Sequence, residues 1–275
     1  MVVVNTILAF LSVLLYAVPC LSVDSPTLAG PIGPHCTQGT KLVGRGIGSN
    51  VTIADVPTYF ISPTVAPGEG QPKKVLLFYS DVYGAFHTNN QLLQDYFATQ
   101  GFYVLGIDYF FGDPIQAHDG EVGWNQAAWF QKSRQQAADA LPEWIAAVRE
   151  QYGSDAKYSA AGYCFGGIYA MQAGASDDFV AAAFAHPADL TENHFNQLKK
   201  PLLLSCAETD ATFPTTSRNR AADILAKNKA RYHLQVFSGT VHGFATRGDP
   251  ADENALWAME ESRRSIAQWF NRFSK

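Results

Sequence analysis

From Lys73 onward, short apolar runs alternate with longer segments that have helical spacing. The runs "KKVLLFYS", "FYVLGIDY", "KYSAAGY", "FVAAAFA", "PLLLSCAE" and "YHLQVFS" predict strands. Between them, "NNQLLQDYFATQ", "WFQKSRQQAADALPEWIAAVREQYG", "FGGIYAMQAGA" and "TSRNRAADILAKNKA" predict helices. A closing segment, "DENALWAMEESRRSIAQWFNRF", puts Leu256, Met259, Ile266, Phe270 and Phe273 on one helical face. This order specifies an α/β fold, a mostly parallel central sheet with helices on both faces. Upstream, "NVTIADVPTYFIS" alternates as an antiparallel strand or hairpin at the sheet edge would.

Composition narrows the class. A chain of 275 residues with 47% hydrophobic content can bury one substantial core, and nothing divides it into comparable halves. The N-terminus differs: "VVVNTILAFLSVLLYAVPCLS" is apolar, and the first Lys or Arg is Lys41. Its apolar core is shorter than the ~20 residues of a membrane span, and small residues stand near Ser22. Residues 1–22 therefore read as a secretory signal and 23–50 as a polar, exposed lead-in, with an uncleaved anchor or an intracellular start as the alternative. The sequon "NVT" makes Asn50 a candidate glycosylation site, in keeping with export. A net charge of -5, with no basic run longer than Lys199-Lys200, argues against nucleic acid as partner. A small neutral or acidic-tolerant ligand fits better, with no stable membrane association; oligomeric state is not legible. Removing residues 1–22 leaves Cys36, Cys164 and Cys206, an odd number, so one thiol stays free or pairs between chains. No Cys-x-x-Cys or His-x-x-x-His spacing points to zinc, and no cofactor is implied.

In such a sheet, ligands bind past the carboxyl ends of the strands. The chemistry-bearing residues there are Asp81, Asp108, Cys164, Asp210 and His242. "GYCFGG" has the Gly-x-nucleophile-x-Gly form of a strand-turn-helix elbow, in which Gly162 and Gly166 admit close strand-helix approach. The following helix would favour the Cys164 thiolate, and the Phe165 N–H would face a developing oxyanion. An elbow thiol needs a base, and the base an orienting acid. Asp210 and His242 follow in the order nucleophile, acid, base. Glu208 reads as a solvated or loop-binding carboxylate and Asp249 as a loop residue before the last helix. A buried packing role for Cys164 is the bland alternative.

"GYCFGG", "CAETDATFP" and "VHGF", together with "LLFYSDVYGAFHTNNQLLQDYFATQGFYVLGIDYFFGDP", resemble the dienelactone hydrolase family, the cysteine-nucleophile branch of the α/β-hydrolases, and its fungal members in particular. The resemblance implies an α/β-hydrolase domain over residues 51–275 and a triad of Cys164, Asp210 and His242. It gives the Val82 N–H as second oxyanion donor and places Asp81 where bacterial members carry a glutamate that modulates the nucleophile. Those members hold a substrate carboxylate with two arginines. One comes four residues after the histidine, where this chain has Thr246 followed by Arg247. Arg134 and Arg247 are thus the candidate cations, with Tyr83, Trp124, Trp129 and Phe110 as candidate pocket lining. The activity so implied is hydrolysis of enol lactones or other activated carboxylic esters through a thioester. Hydrolysis of thioesters or aryl esters, or a non-catalytic binding role on the same fold, stands as the alternative.

Overall fold

The computed structural model describes residues 25–275, so the expected signal at 1–22 lies outside the described residues. In chain order the strands are β1 (Thr27–Ala29), β2 (Ser49–Ile53), β3 (Val56–Ile61), β4 (Lys74–Tyr79), β5 (Tyr103–Ile107), β6 (Lys157–Tyr163), β7 (Ala181–Ala185), β8 (Leu190–Thr191), β9 (Leu202–Thr209) and β10 (Tyr232–Val241). The helices are α1 (Thr88–Thr99), α2 (Gln126–Tyr152), α3 (Gly167–Ala175), α4 (Glu192–Asn196), α5 (Thr215–Lys227), α6 (Phe244–Arg247) and α7 (Glu253–Phe273). Among the described residues no helix is long and apolar enough to cross a membrane.

The main sheet has the order β10-β9-β7-β6-β4-β5-β3-β2, parallel from β10 to β5. The expected edge hairpin is β2–β3, antiparallel to each other and to β5. Its turn, Ala54-Asp55, has positive φ at both residues, the twist that a tight hairpin requires. Strand β4 shows why both faces must be covered. Val75, Leu77 and Tyr79 pack with Trp144 and Val148 of α2, while Leu76 and Phe78 pack with Phe97 of α1 and Phe270 of α7. The period of two divides one apolar run between two cores.

From β4 the chain moves to β5 on one side, and from β6 to β7 on the other. The gap between the carboxyl ends of β4 and β6 is therefore the switch point at which open α/β sheets bind ligands. Helix α2 starts earlier than its apolar spacing suggests, because the Asn125 side chain accepts from Ala128 N at 3.0 Å and caps it there.

The lead-in is not exposed as its polarity suggests. Leu28 and Ala29 are buried, β1 pairs with β8, and Pro34–Thr37 forms one turn of 3-10 helix that buries Cys36. Glycines and prolines mask the few apolar residues that anchor this stretch. Residues 33–40 cross the carboxyl end of the sheet, and we call them the strap.

Candidate active site

Register places the reacting groups. Val241 pairs with Thr209, so the next residue of each strand, His242 and Asp210, lie side by side. The register shift between Phe237 and Val241 sets that position. Tyr79 pairs with Gly162, which brings the chain after β4 against the Cys164 turn.

Cys164 has φ +48, a conformation that costs energy in a side-chain-bearing residue and recurs where a nucleophile is lifted off a strand. Two glycines make the turn fit. A Cβ on Gly166 would lie 2.1 Å from the Tyr79 carbonyl oxygen, and one on Gly162 would lie 2.3 Å from that of Gly166. Both obstacles are backbone, so neither can move aside.

His242 Nε2 is 3.2 Å from Cys164 Sγ, and Nδ1 is 3.0 Å from each Asp210 oxygen. Asp210 also accepts from Thr212 N and Phe213 N. Burial pushes the Asp210 carboxyl up, but the His242 ring and these two N–H groups outweigh it and hold it below the usual carboxylate range. Burial opposes charge on His242, yet its bonds to Asp210 and Cys36 raise it to about 9. The Phe165 N–H opens a helical turn and the Val82 N–H follows β4; neither donates to a turn carbonyl among the described residues, which leaves both for an oxyanion.

Sequence reasoning misses a second thiol. Cys36 Sγ lies 3.4 Å from the same Nε2, so two thiols meet one imidazole nitrogen. Donation from Cys164, together with His242, lowers Cys36 to about 4 against the effect of burial. Burial pushes Cys164 well up, and Cys36 beside it adds to that. His35 meets His242 edge-on at 5.0 Å and bonds Thr212. No periodicity announces these residues, because tertiary contact alone brings the strap here. A further histidine was legible: His186 directly follows β7 and packs 5.0 Å from His242, with both ring nitrogens unpartnered and its pKa far lowered, chiefly by burial. His35, Cys36 and His242 hold their donor atoms within 4.8 Å of one another, the donor types of a soft-metal site. A metal there would compete with the thiol for its base.

Asp81 does not touch the nucleophile. Its carboxylate pairs with Arg247 and accepts from Thr246 Oγ1 at 3.0 Å, Asn90 Nδ2 at 2.9 Å and Tyr83 N at 3.1 Å. Arg247 is buried, and donates to the carbonyls of Gln38 and Cys36 at 2.9 and 3.0 Å as well. It lies at the site, but as the anchor of the strap. Arg134 is likewise committed, to Asp189, the Phe165 carbonyl and the Tyr169 hydroxyl. The expected aromatic lining is mostly elsewhere. Trp129 stacks on Phe110 inside the core with its Nε1 bonded to the Asp113 carbonyl, and Trp124 stacks on His118. Tyr83 alone of the four touches the strap, donating to the Thr37 carbonyl at 2.8 Å beneath Arg247. Asp108 binds the N–H groups of its own loop, Glu208 accepts from Gly239 N, and Asp249 caps its loop at Ala251 N. Asn50 stands exposed on β2.

Comparison with known proteins agrees with this architecture. The model of the dienelactone hydrolase family matches residues 57–274. The chain is 32% identical to "Dienlactone hydrolase 1" of Gibberella moniliformis, over 90% of this chain and 97% of that one. It is 24% identical to a carboxymethylenebutenolidase homologue of Mus musculus, over 86% and 96%. Among solved structures it is similar in fold to a putative dienelactone hydrolase from Klebsiella pneumoniae, with TM-score 0.66, 18% identity and coverage of 82% and 99%. The chain belongs to the dienelactone hydrolase family and is a hydrolase built on the α/β-hydrolase fold.

Proposed function

We propose that this enzyme hydrolyses small enol lactones or other activated carboxylic esters through a thioester on Cys164. The observation that carries the reading is the chain of contacts from Cys164 Sγ through His242 to Asp210, at 3.2 and 3.0 Å, on a nucleophile held at φ +48. Cys164 gives its thiol proton to His242 Nε2 and attacks the carbonyl carbon while the Val82 and Phe165 N–H groups receive the oxyanion. His242 gives its Nε2 proton to the departing alkoxide or enolate. It then takes a proton from the water that cleaves the thioester, and Asp210 holds its tautomer through Nδ1. A thiolate leaves a tetrahedral intermediate more readily than an ordinary alkoxide does. Acylation therefore favours substrates with stabilised leaving groups, such as enols and phenols.

Cys164 is fully buried in this state, so the strap must move for substrate to enter. The cleft beside His242, about 240 Å³ and lined by Gln38, Gly39, Thr40, Val241 and Arg247, marks the way in. It is smaller than the ~300–1,000 Å³ usual for drug-sized ligands, which favours compact substrates. With Arg134 and Arg247 both engaged, a substrate carboxylate is not needed for binding. Activity against neutral enol lactones, aryl esters and thioesters, with Cys164→Ser beside the wild type, tests the reading. Turnover of all three unchanged in the variant would end it. Export, with Asn50 glycosylated, belongs to the same proposal, and N-terminal sequencing of secreted protein would test it.

A further inference from the structure

Triad chemistry needs one thiol on the imidazole, yet this site has two. Cys36 and Cys164 both lie against His242 Nε2, at 3.4 and 3.2 Å, with neither side chain exposed. Cys36 is fixed there from both sides. Its N–H donates to Gly33 O at 2.9 Å and its carbonyl accepts from Arg247. Beyond it, the Thr37 carbonyl accepts from Tyr83, and the Thr40 carbonyl from Asn89 at 2.9 Å. A core thiol does not need an imidazole, as Cys206 shows: it is buried on β9 with no such partner among the described residues, and burial pushes it far up.

We propose that Cys36 and Cys164 form a reversible disulfide when the enzyme meets hydrogen peroxide, and that this bond locks the strap over the nucleophile and switches hydrolysis off. The His242 imidazole, within reach of both sulfurs, takes the thiol proton and so supplies the thiolate that such chemistry requires. The Cys36 sulfur attacks peroxide: an S–O bond forms, the O–O bond breaks, and the released hydroxide takes a proton to become water. The Cys164 sulfur then attacks the sulfenic sulfur, the S–S bond forms, the S–O bond breaks, and the second water carries away the Cys164 proton through His242. Two thiols lose two electrons in total, and one peroxide becomes two waters. The bond takes the nucleophile out of use and shields it from irreversible oxidation to sulfinic acid. A dithiol reductant restores both thiols and frees the strap.

The test treats the full chain with equimolar peroxide, alkylates remaining thiols in denaturant, and digests without reduction. The expected product is a peptide pair linking Cys36 to Cys164, with Cys206 alkylated and aryl-ester turnover lowered at least ~10-fold until dithiothreitol restores it. In Cys36→Ser, two or more equivalents of peroxide should instead carry Cys164 through sulfenic to sulfinic acid, with a loss that dithiothreitol does not reverse. In Cys206→Ser the linked pair should persist. Unlinked Cys36 and Cys164 peptides in the oxidised wild type, or fully reversible inactivation in Cys36→Ser, would overturn the proposal. The link is read by mass, so its absence and a failure of the thioester reading are distinguishable.

Discussion

Cys164, Asp210 and His242 each follow a strand of the parallel sheet, β6 and β9 within it and β10 at its edge, whereas Cys36 and His35 reach the same imidazole on an irregular strap held mainly by hydrogen bonds. The two regions differ in what it takes to move them. Shifting the triad means breaking strand register and two packed cores. Lifting the strap exchanges bonds to Arg247, Tyr83 and Asn89 for bonds to water, and a neutral hydrogen bond contributes only about 1 kcal/mol net. A sheet-borne floor beneath a strap held by side-chain bonds and by the Cys36 contact with His242 is an arrangement in which access and chemistry are set by different parts of the chain.

The largest effects should come from the floor. Cys164→Ala should lower kcat/KM on activated esters by at least ~10³-fold while the melting curve stays cooperative. Asp210→Asn should cost about 10²–10⁴-fold, mostly in kcat, because the imidazole loses its oriented tautomer. Gly166→Ala strikes the floor through geometry: its Cβ would meet the Tyr79 carbonyl at 2.1 Å. Overpacking of this kind costs about 1–3 kcal/mol or more, readable as a lower denaturation midpoint.

Changes to the strap should act on access. Arg247→Lys keeps a charge for Asp81 but loses the fork that reaches Cys36 and Gln38. Alkylation of Cys164 by iodoacetamide should then speed up by about 3–10-fold, the effect of losing about 1 kcal/mol of strap closure. A slower or unchanged rate would show that the strap is not the gate.

Protonation should give the smallest effect. Between pH 4 and 9 the unfolded Cys36 thiol holds a proton that the folded one lacks, so its contribution to stability rises with pH. Between 6.5 and 9 the folded His242 holds a proton that the unfolded ring lacks, which offsets that gain. The ion pair should therefore add stability from pH 4 up to about 6.5 and level off above, with Asp210 adding to the same acid-side loss. Thermal melts across this range should show a shallower acid limb in Cys36→Ser than in wild type.

Most of the floor is legible in the sequence because local patterns encode it. Apolar runs give β4, β6, β9 and β10, and the residues just past them include Cys164, Asp210 and His242, which the fold brings into contact. The same rule picks out His186, which lacks only an elbow or a neighbouring acid to draw attention to it. The strap is illegible for a physical reason. Its contacts join residues some 206 positions apart, Cys36 with His242, and its conformation comes from carbonyls bound by distant side chains rather than from periodicity. The arginines show the same limit: the sequence places Arg247 near the site, but only tertiary contact reveals that Asp81 and the strap already occupy it.

Two thiols on one imidazole make the identity of the nucleophile the point on which the account turns, since His242 Nε2 can serve either sulfur. The most direct measurement is to quench turnover of an activated aryl ester in acid within the first cycle, digest the protein, and locate the acyl group by mass. The account predicts the acyl group on Cys164, above the elbow and beside the Val82 and Phe165 N–H groups. An acyl group on Cys36 would contradict it.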